Sequence, residues 1–302
     1  MNMDHNPART GLLAGLAAFL AWGLLPIYWK ALGQVPAMEI LCHRIVWSLV
    51  FSAAILSVQH RWRETGRAIR IPENRRMMWL SSLLIAINWF VYIWAVNSGH
   101  VVEASLGYYI NPLVNVLLGF LFFKDRLRPL QSAAIVLACL GVLNLVVSYG
   151  RIPWISLVLA FSFGVYGLTR KMMHVESLPG LFFETAVLSI PAGGYLIWLS
   201  LTGVAALGSL GPGTDMLLLG AGAVTSIPLL LFGLSARRIR LVTVGILQYL
   251  APTCMFLLGV FVYGEPFTTS HLITFSCIWA GVGLYTFEGF LLSRKLHRVT
   301  PA

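Results

Sequence analysis

Apolar runs long enough to cross a bilayer recur ten times along this chain, and no other feature constrains its fold as strongly. A helix needs roughly 20 apolar residues to span a hydrocarbon core about 30 Å thick. Segments meeting that condition cover roughly 10–31, 38–58, 77–97, 101–123, 130–148, 153–170, 180–201, 215–235, 242–263 and 270–291. With their links they use up a chain of 302 residues, which leaves no room for a soluble catalytic domain. Composition agrees: 58% of residues are hydrophobic, 11% are charged and mean hydropathy is +0.81, far from the balance of soluble domains. The runs are too long for buried strands and lack the period-2 alternation of a barrel. The expected fold is therefore all-α and integral to the membrane, because helices satisfy their own backbone groups in lipid.

Charge orients the spans, since Lys and Arg favour the cytoplasmic side of short loops. With the N-terminus inside, 18 of the 21 basic residues fall on the cytoplasmic side, leaving Lys30, Arg44 and Arg151 outside. Both termini are then cytoplasmic. The net charge of +10 reflects this topology, so no nucleic-acid partner is expected. The first apolar run is too long for a signal peptide and no small-residue cleavage site follows Tyr28 and Trp29, so it should be retained. Cys42, Cys139, Cys254 and Cys277 stand singly in apolar spans. They read as packing residues, with no metal, cofactor or disulfide implied.

The two halves repeat each other. Tyr109, Pro112, Leu117, Leu118 and Gly119 recur 140 residues later as Tyr249, Pro252, Leu257, Leu258 and Gly259. Ala21-Trp22-Gly23 likewise aligns with Ser162-Phe163-Gly164, and Lys30 with Lys171, at a spacing of 141. Five spans separate the copies, so an odd count forces opposite orientations. The expectation is two inverted five-helix units, 1–150 and 151–302, an arrangement that secondary transporters use for alternating access. Gly11, Gly15, Gly141, Gly193, Gly220 and Gly281 would allow close helix approach. The basic segment 59–76 reads as a solvated topogenic loop that could meet anionic lipid headgroups.

Ionisable side chains inside a bilayer are costly, so each marks a cavity or a partner. Glu39, His43 and Arg44 fall near the outer end of the second span, Glu103 near the outer end of the fourth, and Glu184 about one turn from the inner end of the seventh. Glu39 and His43 share a helical face and could pair, and His43 could change charge near neutral pH. Arg44 either snorkels outward with Glu39 as an ion pair or faces a cavity as an anion site. Glu184 falls where His43 maps under the repeat, which suits a proton-coupling pair; a Glu bonded to a neighbouring helix is the alternative.

Pro112 should free the carbonyl of Tyr108, and Pro252 that of Gln248. Those carbonyls, beside Tyr109, Asn111 and Tyr249, make a polar patch near mid-membrane in both halves; a packing kink is the alternative. Trp29, Trp79, Trp94, Trp154 and Trp198 suit interfacial belts. Trp22, Trp47, Trp89 and Trp279 lie mid-span, where they wall a cavity or pack helices. Asn88, Asn97, Asn115 and Asn144 either line a path or bond between helices. The expected substrate cavity thus comprises Trp22, Asn88, Trp89, Tyr92, Tyr108, Tyr109, Asn111, Gln248, Tyr249 and Trp279. No G-x-x-x-x-G-K-[ST] loop is present, which excludes ATP-driven transport by this polypeptide alone, and neither H-E-x-x-H nor G-x-S-x-G appears for an intramembrane hydrolase. The chain is not expected to be an enzyme.

The runs Asn88-Trp89, Trp94 to Asn97, Glu103 to Tyr108 and Ile110 to Asn115, with Gln248-Tyr249, Pro252-Thr253 and Tyr263-Gly264-Glu265, resemble the RarD proteins. These are EamA-type members of the drug/metabolite transporter superfamily. The resemblance covers nearly the whole chain. It implies a permease of the bacterial inner membrane with ten helices in two inverted halves and a central cavity lined by the first four helices of each. It also implies a small-molecule substrate such as an amino acid, another metabolite or a chloramphenicol-like drug. Small multidrug exporters of the superfamily rely on a Glu in their first helix, which this chain lacks; Arg44 and His43 would better suit a zwitterion or anion. The rival expectations are a flippase for a lipid or lipid-linked substrate, with a cavity open sideways to the bilayer, and an intramembrane enzyme using Glu103, Glu184 or His43 as acid or base.

Overall fold

The computed structural model describes residues 7–124, 128–150, 152–173, 175–236, 238–239, 243–244 and 247–299, without the side chains of 123, 149 and 289–299. Arg126, Arg151, Arg237 and Arg240 of the charge assignment, and positions 242, 245 and 246 of the expected ninth span, lie outside the described residues. Among those described, eleven α-helices and no strand occur. They are α1 (Pro7–Ala31), α2 (Ala37–Val58), α3 (Trp62–Arg70), α4 (Pro72–Asn97), α5 (Val101–Phe123), α6 (Pro129–Tyr149), α7 (Trp154–Met172), α8 (Ser177–Leu201), α9 (Pro212–Ala236), α10 (Leu250–Leu257) and α11 (Thr269–Val299). A π-helical turn, Leu258–Val262, continues α10.

Seven of these helices, α1, α2, α4, α5, α6, α8 and α9, are long and apolar enough to cross a membrane. They coincide with seven expected spans to within a few residues, because the same apolar runs that mark a span also propagate a helix. The other three expected segments fall on α7, α10 and α11. Prolines open α4 and α6, where a missing N–H costs nothing. Gly150 ends α6 in the left-handed region at φ 63°, which its lack of a Cβ permits.

The principal contacts join helices within residues 1–150 to helices within residues 151–302. The principal neighbours are α6 with α11, α5 with α7, α2 with α8 and α9, α1 with α9 and α10, α4 with α7, and α5 with α10. Exchanging each long helix for the one five spans later turns α4–α7 into α1–α9 and α5–α7 into α1–α10. The same exchange leaves α6–α11, α2–α8 and α5–α10 unchanged. Glycines show the correspondence at atomic scale. A Cβ on Gly23 would stand 2.6 Å from Cys254 Cβ, and one on Gly164 would stand 2.7 Å from Val114 Cγ1. At the 141- and 140-residue spacings read in the sequence, Gly23 aligns with Gly164 and Val114 with Cys254, and each glycine abuts the residue aligned with the other's neighbour.

Gly11, Gly15, Gly141, Gly220 and Gly281 also abut neighbours within 3.1 Å of an added Cβ, whereas Gly193 has nothing within 4 Å. At that point of α8 it is the adjacent Ala192 that is buried in the core. Two further differences concern the prolines and the basic loop. Pro112 sits inside a continuous α5, but Pro252 stands two residues after α10 begins, directly behind a turn at Gln248-Tyr249. Pro26, Pro191 and Pro228 also lie within helices, so an internal proline is not confined to the repeated pair. The loop 59–76 contains α3, whose Trp62, Thr65 and Ile69 recur at i, i+3 and i+7. Trp62 meets Phe182 edge-on at 5.0 Å, and Ile69 packs on Met78, Met173 and Phe183. Arg61 bonds Glu64 at 2.6 Å and Glu176 at 2.9 Å, and these carboxylates raise its already high pKa. The segment is thus partly docked on α8 and not simply solvated.

Candidate functional site

Every residue of α2 from Glu39 to Ile45 is buried, so this helix has no lipid-facing side at that level and its polar groups must find partners inside the protein. Arg44, seven residues past Ala37, lies about 10 Å along the helix at ~1.5 Å per residue. Its guanidinium carbon stands 4.0 Å over the ring centroid of Trp89 and 5.1 Å over that of Trp29. Tyr92, one turn beyond Trp89 on α4, and Tyr108 on α5 are neighbouring phenols. Among the described residues no carboxylate lies within 4.0 Å of it, and its Nε and Nη1 have no hydrogen-bond partner.

Neither expected partner is used as the spacing implied. Glu39 turns its Oε1 to the backbone N–H of Ala206 at 2.7 Å, so it is bonded neither to His43 nor to Arg44. His43 is buried with Nδ1 unpartnered. Arg44 does not snorkel; it is only 5% exposed. Trp29 is 0% exposed, which removes it from the belt and makes it one wall of the cage, whereas Trp79, Trp154 and Trp198 are about half exposed, as belt residues would be. A desolvated cation–π contact is worth about 2 kcal/mol, while stripping water from an ion costs several kcal/mol. The indoles therefore compensate the guanidinium only in part.

Asn88 braces this cage. Its Nδ2 donates to Leu159 O at 3.1 Å and Ser162 Oγ at 3.0 Å on α7, and its Oδ1 accepts from Tyr108 Oη at 3.2 Å. Tyr92 packs edge-on against Tyr108 at 5.7 Å and its hydroxyl has no partner. Asn111 is also a cross-link, donating to Ala160 O at 3.1 Å and accepting from Asn115 at 3.1 Å. Asn144 ties α6 to α11 through Ser270 O and Thr274 Oγ1.

Glu184 occupies the opposite end of the bundle and is 0% exposed. It accepts from Ser81 Oγ at 2.7 Å and Tyr166 Oη at 3.2 Å, and Arg170 Nη1 lies 3.5 Å away. This carboxylate joins α4, α7 and α8.

The remaining candidates fall elsewhere. Tyr109 and Tyr249 stack at 6.3 Å and, with Thr253, Trp279, Thr286 and Phe287, line a groove of about 700 Å³ between α5, α10 and α11. Trp279 and Phe287 are exposed there, so the groove opens on the outside of the bundle. Gln248 is half-buried in the turn before α10. Trp22 packs against Phe19 and Phe232 at 5.4 and 5.7 Å. Glu103 lines a smaller cavity of about 390 Å³ beside His100 and Glu265. Glu265 itself was not foreseen as a working residue: its two oxygens accept from the N–H groups of Val101 and Val102 at 2.7 and 2.8 Å, capping α5 from the far half of the chain. Arg170, the neighbour of Glu184, was also missed, although it is the repeat counterpart of Trp29.

The EamA-like transporter family matches residues 9–147. The chain is 48% identical over 289 residues to the uncharacterized transporter YojE of Bacillus subtilis, covering 95% of this chain and 96% of that protein. It is 43% identical over 293 residues to protein RarD of Salmonella typhi, covering 97% and 100%. A solved crystal structure with 19% identity superposes at a TM-score of 0.58 over 93% of this chain and 98% of its own, a likeness of fold. Similarity along the whole length to named transporters, on an all-helical multi-pass membrane scaffold, means that the chain belongs to the RarD-type EamA transporters of the drug/metabolite transporter superfamily.

Proposed function

We propose that this transporter is a permease of the bacterial inner membrane that moves a small organic solute by alternating access. In this reading ten spans form two inverted five-helix units, 1–150 and 151–302, with both termini cytoplasmic. The observation that carries it is the packing correspondence: helix contacts are preserved when the halves are exchanged, down to Gly23 against Cys254 and Gly164 against Val114. Two units with interchangeable contacts can trade conformations, so a site between them opens to one face and then the other. The solutes that the family resemblance implies, an amino acid, another metabolite or a chloramphenicol-like drug, are the starting panel. Glu39, His43, Arg44, Glu103 and Glu184 are the candidates for charge recognition or proton coupling, of which Glu39 and Glu184 already bond within the protein, and no covalent chemistry is required.

The test is uptake into proteoliposomes containing purified protein, with and without a proton gradient, against protein-free vesicles. Solute-specific uptake that is lost in Gly23→Val and Gly164→Val alike is the expected result. Absence of flux for every solute under every gradient would overturn the reading.

One observation favours a second reading. The groove at Tyr109, Tyr249 and Trp279 opens on the outside of the bundle, as a lipid flippase would need. Movement of a headgroup-labelled lipid between leaflets, without solute uptake, would select it.

A further inference from the structure

The charge that the bundle leaves unsatisfied points to what it binds. Arg44 is nearly sealed from solvent, has two nitrogens without acceptors and has no carboxylate beside it among the described residues. Of the acidic groups at the same end of the bundle, Glu39 accepts from Ala206 N–H, Glu265 from Val101 and Val102 N–H and Asp215 from Gly208 N–H, and neither these nor Glu103 pairs with Arg44 among the described residues. Lys30, the other cation at that end, is spent on Val96 O at 2.9 Å and the ring of Tyr263. A buried cation that its own protein does not neutralise calls for an anion from outside. Trp29 and Trp89 hold the guanidinium plane without using its N–H edge, and the hydroxyl of Tyr92, one turn beyond Trp89 on α4, is also unpartnered.

Resting on the transporter reading above, we propose that Arg44 is the carboxylate-recognition residue of the transport site and that the transported solute is an organic acid or zwitterion. One guanidinium matches one carboxylate in charge and in planar fork geometry. A phosphate dianion would call for a second cation beside Arg44, and Lys30 is turned to Val96 O and the ring of Tyr263. Tyr92 supplies the neighbouring hydroxyl. The carboxylate can arrive on a water-soluble solute or on a fatty acid from the bilayer, and the two sources are separable.

Purified full-length protein in detergent is titrated with phenylacetate, L-phenylalanine, dodecanoate and the neutral isostere phenylacetamide, following tryptophan fluorescence and thermal melting. At least one carboxylate is expected to bind about 10- to 100-fold more tightly than the amide, the range for a charge-assisted hydrogen bond. Arg44→Gln should erase that preference. Arg44→Lys should keep it at reduced affinity, and this variant retains the test if Arg44→Gln does not fold. Without ligand, Arg44→Gln should melt no lower than wild type, whereas a merely structural arginine would lower it.

Binding of phenylacetate or L-phenylalanine assigns the aqueous source; binding of dodecanoate alone assigns the bilayer. Equal binding of carboxylate and amide, no binding of any carboxylate, or unchanged preference in Arg44→Gln overturns the proposal. Carboxylate binding without flux in proteoliposomes would remove the transporter reading and leave the site. Flux of neutral solutes that ignores Arg44→Gln would remove the site and leave the transporter.

Discussion

Two buried charges stand at the same depth along α2 and α8 and are treated in opposite ways. Arg44 lies seven residues into α2 and Glu184 seven residues into α8, at opposite ends of the bundle. The 141-residue spacing places Glu184 on His43 and Arg170 on Trp29. Where the first half offers an indole to an arginine, the second offers an arginine to a carboxylate. Glu184 has Ser81, Tyr166 and Arg170, while Arg44 has aromatic faces and free N–H groups. Burial alone therefore does not mark a binding site. A buried charge with its partners supplied is a joint between helices, and one left short of partners is an invitation to a ligand.

That contrast breaks most visibly at Glu184. Glu184→Ala should lower stability by about 3–5 kcal/mol, because it takes the carboxylate from the partly buried Arg170 guanidinium and from the hydroxyls of Ser81 and Tyr166; Glu184→Gln should cost less, since it keeps an acceptor for Ser81. Thermal and denaturant unfolding in detergent measures both, and a neutral Glu184→Ala would show that the cluster is no joint. Asn88→Leu comes next, at about 1–3 kcal/mol, because Leu159 O, Ser162 and the Tyr108 hydroxyl lose their shared partner. The same substitution should loosen the Arg44 cage, read as a change in Trp89 fluorescence; stability lost without any spectral change would uncouple Asn88 from the cage. Arg61→Ala should cost no more than ~1 kcal/mol, because its ion pairs with Glu64 and Glu176 are solvent-exposed. The smallest effect, and the sharpest, is Arg44→Met, which should leave the melting temperature of the unliganded protein unchanged or raised. A marked fall would put Arg44 in the same structural class as Glu184.

Seven spans were legible because helix formation in lipid depends on local apolarity, which a window of residues carries by itself. Helix α3 was legible in principle from Trp62, Thr65 and Ile69, but the surrounding arginines dominated the reading of that loop. Candidates for the site were recognisable by type and not by grouping. Arg44, Trp89, Tyr92, Tyr108 and Asn88 come together, whereas Tyr109, Tyr249 and Trp279 line a separate groove and Trp22 packs on Phe232. Trp29 looked like a belt residue because its distance along the span says nothing about which way its ring turns. Glu39 looked like a partner for His43 because spacing along one helix cannot reveal Ala206 on a distant loop, 167 residues away.

By itself, then, the sequence determined that this chain is helical and membrane-embedded, and it carried the resemblance to RarD-type transporters, because hydropathy and motif order are properties of the chain. Only the tertiary structure decided which buried charges are satisfied. Satisfaction depends on groups delivered by other helices: Ser81, Tyr166 and Arg170 reach Glu184, and no carboxylate among the described residues reaches Arg44. An electrostatic deficit of that kind exists only between elements, so no single stretch of sequence can display it.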